Sequence, residues 1–263
     1  MSSRQAEKAA AREARLAAEA QLRAVVSRRR RLRTVAAVSL VAIALVAVAV
    51  GVSSRGGVVA NAASGARLRG AAYSANLFAG IPQHGITLGR SNAPVRMVEF
   101  ADLQCPYCDE YAVQTLPTLV RNYVRDGQVQ MRFENLSFIG SGSVAAGRVA
   151  AGAAKQNRLW NFVDLLYLNQ GEENSGYITP GYLRRLLTAV PELNVSSALV
   201  ASQSSAADDA LALANRTANA AGVQGTPTFL IGHAGGPLRQ FNPSSLSAAP
   251  FERLINQLLK TEG

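Results

Sequence analysis

The sequence is poor in the residues that build most disulfide and metal sites: its 263 residues include only two cysteines, two histidines and three methionines. Two cysteines in so long a chain exclude a disulfide-stapled scaffold, which needs many more per residue. They supply only two of the four ligands that zinc requires, and neither His84 nor His233 stands at a recognisable ligand spacing. We therefore predict neither a metal nor a cofactor.

Acidic residues are outnumbered, which leaves a net charge of +10 and raises the question of nucleic-acid binding. Residues 1–56 hold 11 Lys or Arg and 3 Asp or Glu, a net charge of +8, whereas residues 57–263 hold 16 and 14, a net charge of +2. The excess is confined to the N-terminal part. The bulk of the chain lacks the basic surface that a DNA- or RNA-binding domain needs, so we expect no nucleic-acid partner.

A long apolar run occupies residues 34–52, TVAAVSLVAIALVAVAVGV, without a charged residue. As a helix it would be about 28 Å long, close to the hydrocarbon thickness of about 30 Å of a bilayer. Five arginines stand directly before it, between Arg28 and Arg33, and only Arg55 stands close behind it. Because positive residues stay on the cytoplasmic side, the pattern predicts a single transmembrane helix preceded by a cytoplasmic basic stub at residues 1–33.

A cleaved secretory signal is the alternative interpretation, because Ala60-Asn61-Ala62 has the pattern of a cleavage site. The apolar run is longer than the roughly 7–15 residues of a signal core, which favours an uncleaved anchor. Both interpretations export the rest of the chain. We expect a cell-membrane protein in which a flexible linker at 53–80, rich in Ser, Gly and Ala, leads to an extracytoplasmic domain at 81–263.

The exported domain opens with the pattern of a strand, a helix and a second strand. VRMVEF at 95–100 and VQMRF at 129–133 predict the two strands. Between them, apolar residues recur at helical spacing after Cys105-Pro106-Tyr107-Cys108, and Pro117 is expected to kink the helix. The sequence thus predicts a βαβ unit with both cysteines at the start of its helix.

Helices dominate the middle of the domain, over about 140–221, and strands return near its end. The predicted helices are at 143–156, 158–170, 179–190, 196–204 and 206–221. TFLI at 228–231 and LRQF at 238–241 predict two further strands, and a last helix is expected at about 249–260.

The chemistry is predicted to lie in the pair Cys105 and Cys108. Cysteine attacks as a thiolate, and a helix N-terminus stabilises the thiolate through its unpaired N–H groups and the helix dipole. Pro106 suits the first turn, where its missing N–H is not needed. Cys108 lies on the same face three residues on, where it can resolve a mixed disulfide formed at Cys105. Asp102, three residues before Cys105, is interpreted as a loop or capping residue.

Other uses of the two cysteines are weaker. A disulfide that closes so short a loop removes little entropy from the unfolded chain, so its stabilising effect would be small. A cysteine hydrolase would need a histidine base, and His84 or His233 could serve only if the fold brought one of them close. A redox-active pair is therefore the favoured interpretation.

Two motifs resemble the DsbA-like thiol–disulfide oxidoreductases of the thioredoxin superfamily. They are VEFADLQCPYC, which ends at Cys108, and the later GTPTF, which begins at Gly225. The resemblance covers about residues 81–260. It implies an α/β thioredoxin-like fold with a helical subdomain inserted at about 140–221, here preceded by the transmembrane helix.

The resemblance also implies roles for individual residues. Cys105 would be the exposed nucleophile and Cys108 the resolving thiol, with Pro227 a cis proline packed against them. Glu99 matches a buried acid beneath the active site; such a carboxyl would have a raised pKa and could take a proton from Cys108. Substrate binding is assigned to Pro106, Tyr107 and Thr226, the last through its backbone.

The resemblance implies that the protein introduces disulfides into exported proteins and is reoxidised by a membrane oxidase. A reductase or isomerase of the same fold is the alternative within this class. In a different class, the two thiolates could carry Cu(I) in a tethered metallochaperone. Against this, the chain has only Met1, Met97 and Met131, and none is near enough in sequence to the cysteine pair to look like a third ligand.

Overall fold

A computed structural model of the chain describes residues 68–261. The strands are β1 (Gln83–His84), β2 (Thr87–Leu88), β3 (Val95–Ala101), β4 (Val129–Asn135), β5 (Thr228–His233) and β6 (Arg239–Phe241). The helices are α1 (Ala71–Phe78), α2 (Pro106–Gln114), α3 (Leu116–Leu119), α4 (Ser141–Ala154), α5 (Leu159–Leu168), α6 (Pro180–Ala189), α7 (Val195–Ser202), α8 (Ser205–Ala220) and α9 (Ala248–Lys260).

The described strands form one sheet in the order β1-β2-β4-β3-β5-β6. β3 and β4 are parallel, and every other neighbouring pair is antiparallel. The predicted βαβ unit is therefore confirmed, with α2 beginning directly after Cys105. β3 lies inside the sheet and is buried on both faces except at Arg96, so the cysteines stand at the end of the most enclosed strand.

The helix after the cysteines is interrupted, as Pro117 predicted. α2 ends at Gln114, and the short α3 and a π-helical turn at Val120–Val124 continue the path to β4. A proline inside a helix removes one backbone hydrogen bond, which accounts for the break. The first segment is left as a separate, short helix that begins directly after Cys105 and contains Cys108.

The helical insertion is confirmed and consists of α4 to α8, between β4 and the β5–β6 hairpin. α5 is its buried centre: all its residues from Leu159 to Tyr167 are buried. Its aromatic Trp160 packs edge-on against Phe133 of β4, with ring centroids 6.0 Å apart. The insertion and the sheet therefore share one hydrophobic core.

The prediction of a flexible linker over 53–80 is wrong for residues 71–78, which form α1. Leu77 and Phe78 are buried in the main core, and the Arg125 guanidinium donates to the Leu77 and Ala79 carbonyl oxygens at 2.8 and 2.9 Å. Alanine, which is frequent in this segment, strongly favours helix. The last turn of α1 also carries two large apolar side chains that pack into the core. The β1–β2 hairpin, which pairs with β4, was also not predicted.

The predicted membrane segment, residues 34–52, lies outside the described residues, as do the basic stub and most of the linker. Within 68–261, none of the helices has the length and apolar character needed to cross a bilayer.

Candidate active site

Cys105 and Cys108 lie on one turn, at the start of α2. Cys105 is the N-cap with an extended backbone (φ −70°, ψ 122°), and Pro106 occupies the first helical turn. The Cys105 carbonyl oxygen accepts the N–H of Asp109 at 3.1 Å, which opens the helix. The local sequence accounts for this geometry because proline suits the first turn and provides no N–H that would need a partner. Both cysteines are free thiols.

The expectation of an exposed Cys105 is wrong: only 5% of the residue is exposed, and Cys108 is fully buried. The physical reason is a loop distant in sequence, since the Thr226 carbonyl oxygen lies 3.5 Å from the Cys105 sulfur. The Gln170 side chain donates to the Cys105 carbonyl oxygen at 3.2 Å. Cys105 is thus the more accessible of the two sulfurs, and only a narrow approach to it is open.

The pKa of Cys105 is lowered to about 6, which confirms the predicted direction. The largest cause is the Cys108 thiol, which hydrogen-bonds the Cys105 sulfur. Burial opposes the shift, while the Thr226 side chain and the N–H groups of Cys108 and Tyr107 assist it. The helix start therefore contributes as expected, but the partner cysteine contributes more. At neutral pH the thiolate is the dominant form of Cys105.

Cys108 has the opposite character. Burial, followed by its interaction with Cys105, raises its pKa well above the ordinary value, and the charge of Glu99 adds to the rise. The Asp102 backbone N–H opposes the shift only in part. The pair therefore holds one proton, which stays on Cys108 while Cys105 carries the negative charge.

Glu99 is buried, with 2% of the residue exposed, as the resemblance implied. Burial raises its pKa to about 8, so the carboxyl is mostly protonated at neutral pH. Neither its Oε1 nor the Tyr111 hydroxyl has a hydrogen-bond partner among residues 68–261. Tyr111 packs against Phe229 and Phe251, with ring centroids 4.6 and 5.3 Å apart. The region next to the cysteines therefore holds a proton on a buried carboxyl group.

The loop before β5 faces the cysteines from the other side. The Thr226–Pro227 peptide bond is cis, as predicted, and both residues are half-buried. The Thr226 backbone carbonyl contacts the Cys105 sulfur. The structure therefore brings Pro227 and Thr226 to the redox pair, although 121 residues separate Thr226 from Cys105.

The two residues between the cysteines point outward. Pro106 is exposed, and Tyr107 exposes 63% of its surface. An aromatic side chain at this position gives an incoming polypeptide an apolar contact beside the reactive sulfur. The predicted site residues Cys105, Cys108, Glu99, Pro106, Tyr107, Thr226 and Pro227 thus meet at one end of the sheet.

Sequence reasoning missed a group of polar residues around the same turn. Asp102 is a loop residue as expected, but its carboxylate also receives hydrogen bonds from the loop that follows β4. Gln104 and Ser143 join it, and Gln170, just after the end of α5, donates to the Leu103 and Cys105 carbonyl oxygens. Ser143 lies in a Gly-Ser stretch without a functional motif. The one signal in the sequence is the position of Asp102, a charged residue between an apolar strand and the reactive cysteine.

No group of three or more His, Cys, Asp and Glu side chains converges as a metal site in the part of the chain that the structure describes. The two thiolates would have to provide any soft-metal site by themselves. The arrangement instead suits exchange between a thiolate and a disulfide, since it pairs a stabilised attacking sulfur with a protonated, shielded partner.

Curated proteins similar to this chain include two from Bacillus. A Bacillus cereus protein described as probable disulfide bond formation protein D is 35% identical over 112 residues, 41% of this chain and 52% of that protein. Disulfide bond formation protein D of Bacillus subtilis is 30% identical over 108 residues, 40% of this chain and 49% of that protein. The chain spans about half the length of the curated relatives it matches.

Solved structures extend the likeness to most of the described fold. The crystal structure of oxidised BdbD from Bacillus subtilis has a TM-score of 0.59 at 21% identity and covers 68% of this chain and 97% of that chain. Chlamydia trachomatis DsbA has a TM-score of 0.59 at 20% identity, with 69% and 95% covered. At such identities the likeness establishes the fold.

A family model described as thioredoxin matches residues 82–242, more than half of the chain, and spans both the cysteine turn and the Thr226–Pro227 loop. Together with the helical insertion between these two motifs, this match assigns the family. The chain belongs to the thioredoxin family and shares the fold of solved DsbA structures.

Proposed function

We propose that the protein is a membrane-anchored, extracytoplasmic thiol–disulfide oxidoreductase that donates the Cys105–Cys108 disulfide to exported proteins. The observation that carries the proposal is the division of charge in the pair: a thiolate at Cys105 and a proton on the buried Cys108. The relatives described as disulfide bond formation proteins support the same activity.

The first step is attack by a substrate thiolate on the Cys105 sulfur of the oxidised pair. An S–S bond forms between substrate and Cys105, the Cys105–Cys108 bond breaks, and the electron pair leaves on Cys108. Because burial makes a Cys108 thiolate unfavourable, it takes up a proton. Glu99 holds a proton at neutral pH and serves as its source.

The second step releases oxidised substrate. A second substrate thiolate attacks the substrate sulfur of the mixed disulfide, and Cys105 leaves as a thiolate. A thiol with a low pKa is a good leaving group, so the pKa of about 6 at Cys105 assists this step. The substrate loses two electrons and becomes a disulfide, and the enzyme gains them and is left as the dithiol.

The direction of electron flow follows from which form the site stabilises. A stabilised thiolate favours the reduced enzyme, which makes its disulfide a stronger oxidant. In this site the Cys108 thiol and the N–H groups at the helix start stabilise the Cys105 thiolate. This favours the oxidase over the reductase or isomerase. Turnover then requires a membrane oxidase that accepts two electrons from the dithiol.

The reduction potential of the Cys105–Cys108 couple tests the direction. Equilibration of the purified protein with glutathione buffers should give a potential well above about −270 mV, toward about −120 mV. A potential near −270 mV would indicate a reductase instead. Oxidative refolding of reduced ribonuclease tests activity, and mass spectrometry after copper loading identifies a metallochaperone.

Membrane anchoring rests on the apolar run at 34–52 and the arginines at 28–33. Reporter fusions placed after Ser27 and after Gly263 should report opposite sides of the membrane. The same side for both would contradict a single anchor. Release of the protein from the membrane by alkaline carbonate would contradict anchoring itself.

A further inference from the structure

Asp102 lies between β3 and the cysteines, and none of its surface is exposed. Its Oδ1 accepts the N–H of Gln104 at 2.8 Å and the hydroxyl of Ser143 at 2.6 Å. Its Oδ2 accepts the N–H groups of Phe138 and Ile139 at 2.9 and 3.0 Å. Four donors leave a carboxylate no freedom to turn. The side chain therefore joins the redox turn firmly to the loop that opens the helical insertion.

The backbone of the same residue contacts both cysteines. The Asp102 carbonyl oxygen accepts the N–H of Cys105 at 3.0 Å and the Tyr167 hydroxyl at 3.1 Å. The Asp102 N–H interacts with the Cys108 sulfur. A displacement of Asp102 would therefore move the two sulfurs relative to the donors that surround them.

Ser143 and Gln104 complete the connection. The Gln104 amide donates to the Ser143 hydroxyl oxygen at 3.0 Å, while that hydroxyl donates to Asp102. All three side chains are buried. We call Asp102, Gln104 and Ser143 the clasp. It couples α4 to the cysteine turn through side-chain hydrogen bonds that do not involve either sulfur.

We propose that Asp102 is a positioning residue of the redox centre, and that its hydrogen bonds to the helical insertion hold Cys105 where the thiol of Cys108 and the helix N–H groups reach its sulfur. The inference rests on the exchange function proposed above and assigns the insertion a role in setting the reactivity of Cys105. It goes beyond packing, because looser packing would reduce the burial of Cys105 and so lower the pKa of its thiol, whereas the loss of positioned donors raises it.

The sign of one measurement separates this role from a direct effect of charge. A carboxylate near a thiolate raises the thiol pKa, so loss of the charge alone would lower the pKa of Cys105. Loss of positioning weakens the donors to the Cys105 thiolate and raises the pKa toward the free-thiol value of about 8.5. An unchanged or lower pKa would therefore mean that Asp102 does not hold these donors in place.

The experiment compares full-length wild type with Asp102→Asn and Ser143→Ala in the reduced form. The pKa of Cys105 is read from the pH dependence of its alkylation by iodoacetamide, with the site identified by peptide mapping. We expect a rise of about one unit or more in Asp102→Asn and a smaller rise in Ser143→Ala, which keeps the carboxylate. The equilibrium constant with glutathione should shift by up to about tenfold toward the oxidised protein.

Asp164→Asn is the matched control, because Asp164 is a buried carboxyl of α5 outside the clasp. It should leave the pKa of Cys105 unchanged. An unchanged or lower pKa in both clasp variants would overturn the proposal; if Asp102→Asn does not fold, Ser143→Ala decides alone. The alkylation readout requires no turnover, so a wild type that fails to oxidise ribonuclease would refute the proposed function without deciding this inference.

Discussion

The two sides of the cysteine turn bury polar groups in opposite ways. On the clasp side, the Asp102 carboxylate has four hydrogen-bond donors. On the other side lies what we call the floor: Glu99, Cys108 and Tyr111, where Glu99 Oε1 and the Tyr111 hydroxyl have no partner among the described residues. A satisfied carboxylate fixes geometry, whereas an unsatisfied one holds its proton near neutral pH and can exchange it.

The largest effect on disulfide exchange is expected from substitution of the cysteines. Cys105 is the reactive residue, and Cys108 belongs to the floor. Cys105→Ser should abolish disulfide exchange because the attacking sulfur is lost. Cys108→Ser should retain attack but lose the route that resolves a mixed disulfide, so reducible adducts with exported proteins should accumulate. Non-reducing gels of cells that carry each variant measure this. Equal adduct formation by the two variants would contradict the assignment of roles.

Glu99→Gln removes the exchangeable proton of the floor and keeps the shape of the side chain. We expect thiol–disulfide exchange to slow by about 100-fold at pH 7, in the range typical of a lost general acid or base. Stopped-flow measurement of reduced peptide oxidation checks this. A rate equal to that of the wild type would exclude Glu99 as the proton source.

The same variant should change how stability depends on pH. The pKa of Glu99 rises from 4.5 to about 8 on folding, so the native state loses stability as pH rises from about 4.5 to 8 and is unaffected below that range. The free energy of unfolding of Glu99→Gln, relative to that of the wild type, should therefore increase by on the order of 5 kcal/mol between pH 4 and pH 9. Urea unfolding of the reduced proteins measures the difference, and a constant difference would contradict the burial argument.

Asp164 provides a matched test in the helical insertion, away from the floor. Burial raises its pKa from 3.8 to about 6, so the native state loses stability as the pH rises from about 3.8 to 6. Relative to wild type, the free energy of unfolding of Asp164→Asn should increase by on the order of 3 kcal/mol over this range. The difference should reach a plateau above about pH 6. Denaturant unfolding curves at half-unit pH intervals should separate this plateau from that of Glu99→Gln, which is reached only at higher pH.

The smallest effect is expected from Thr226→Val. The Thr226 side chain lowers the pKa of Cys105, but it ranks behind the Cys108 thiol, and valine keeps the branched shape. We expect the pKa of Cys105 to rise by less than about one unit, with the approach to the sulfur unchanged. Alkylation of the reduced variant between pH 4 and 9 measures the shift. A rise as large as that of Cys108→Ala would contradict this ranking.

Local patterns in the sequence predicted the features that depend on neighbouring residues. A proline after Cys105 and helical spacing beyond it were enough to place the helix start, and Pro117 was enough to place its break. Strand alternation could not tell which face of β3 carries Glu99 inward. The structure removes that ambiguity, because β3 is buried on both faces around Glu99.

Features that depend on distant residues could not be predicted in this way. The enclosure of Cys105 requires Thr226, 121 residues away, and the clasp joins Asp102 to Ser143 across 41 residues. Nothing near Asp102 signals four donors, three of which belong to other loops or helices. The helix at 71–78 was missed because its anchoring contacts, such as the Arg125 guanidinium, also come from elsewhere in the chain.

The pH dependence of alkylation in the reduced wild type tests the central claim most directly, since the account requires one reactive and one silent thiol. Iodoacetamide should modify Cys105 alone, with a midpoint near pH 6, while Cys108 stays unmodified in the folded protein. The wild type must be used because Cys108→Ala removes the main stabiliser of the Cys105 thiolate. A midpoint at or above about 8.5, the value of a free thiol, or equal modification of both cysteines, would contradict the account.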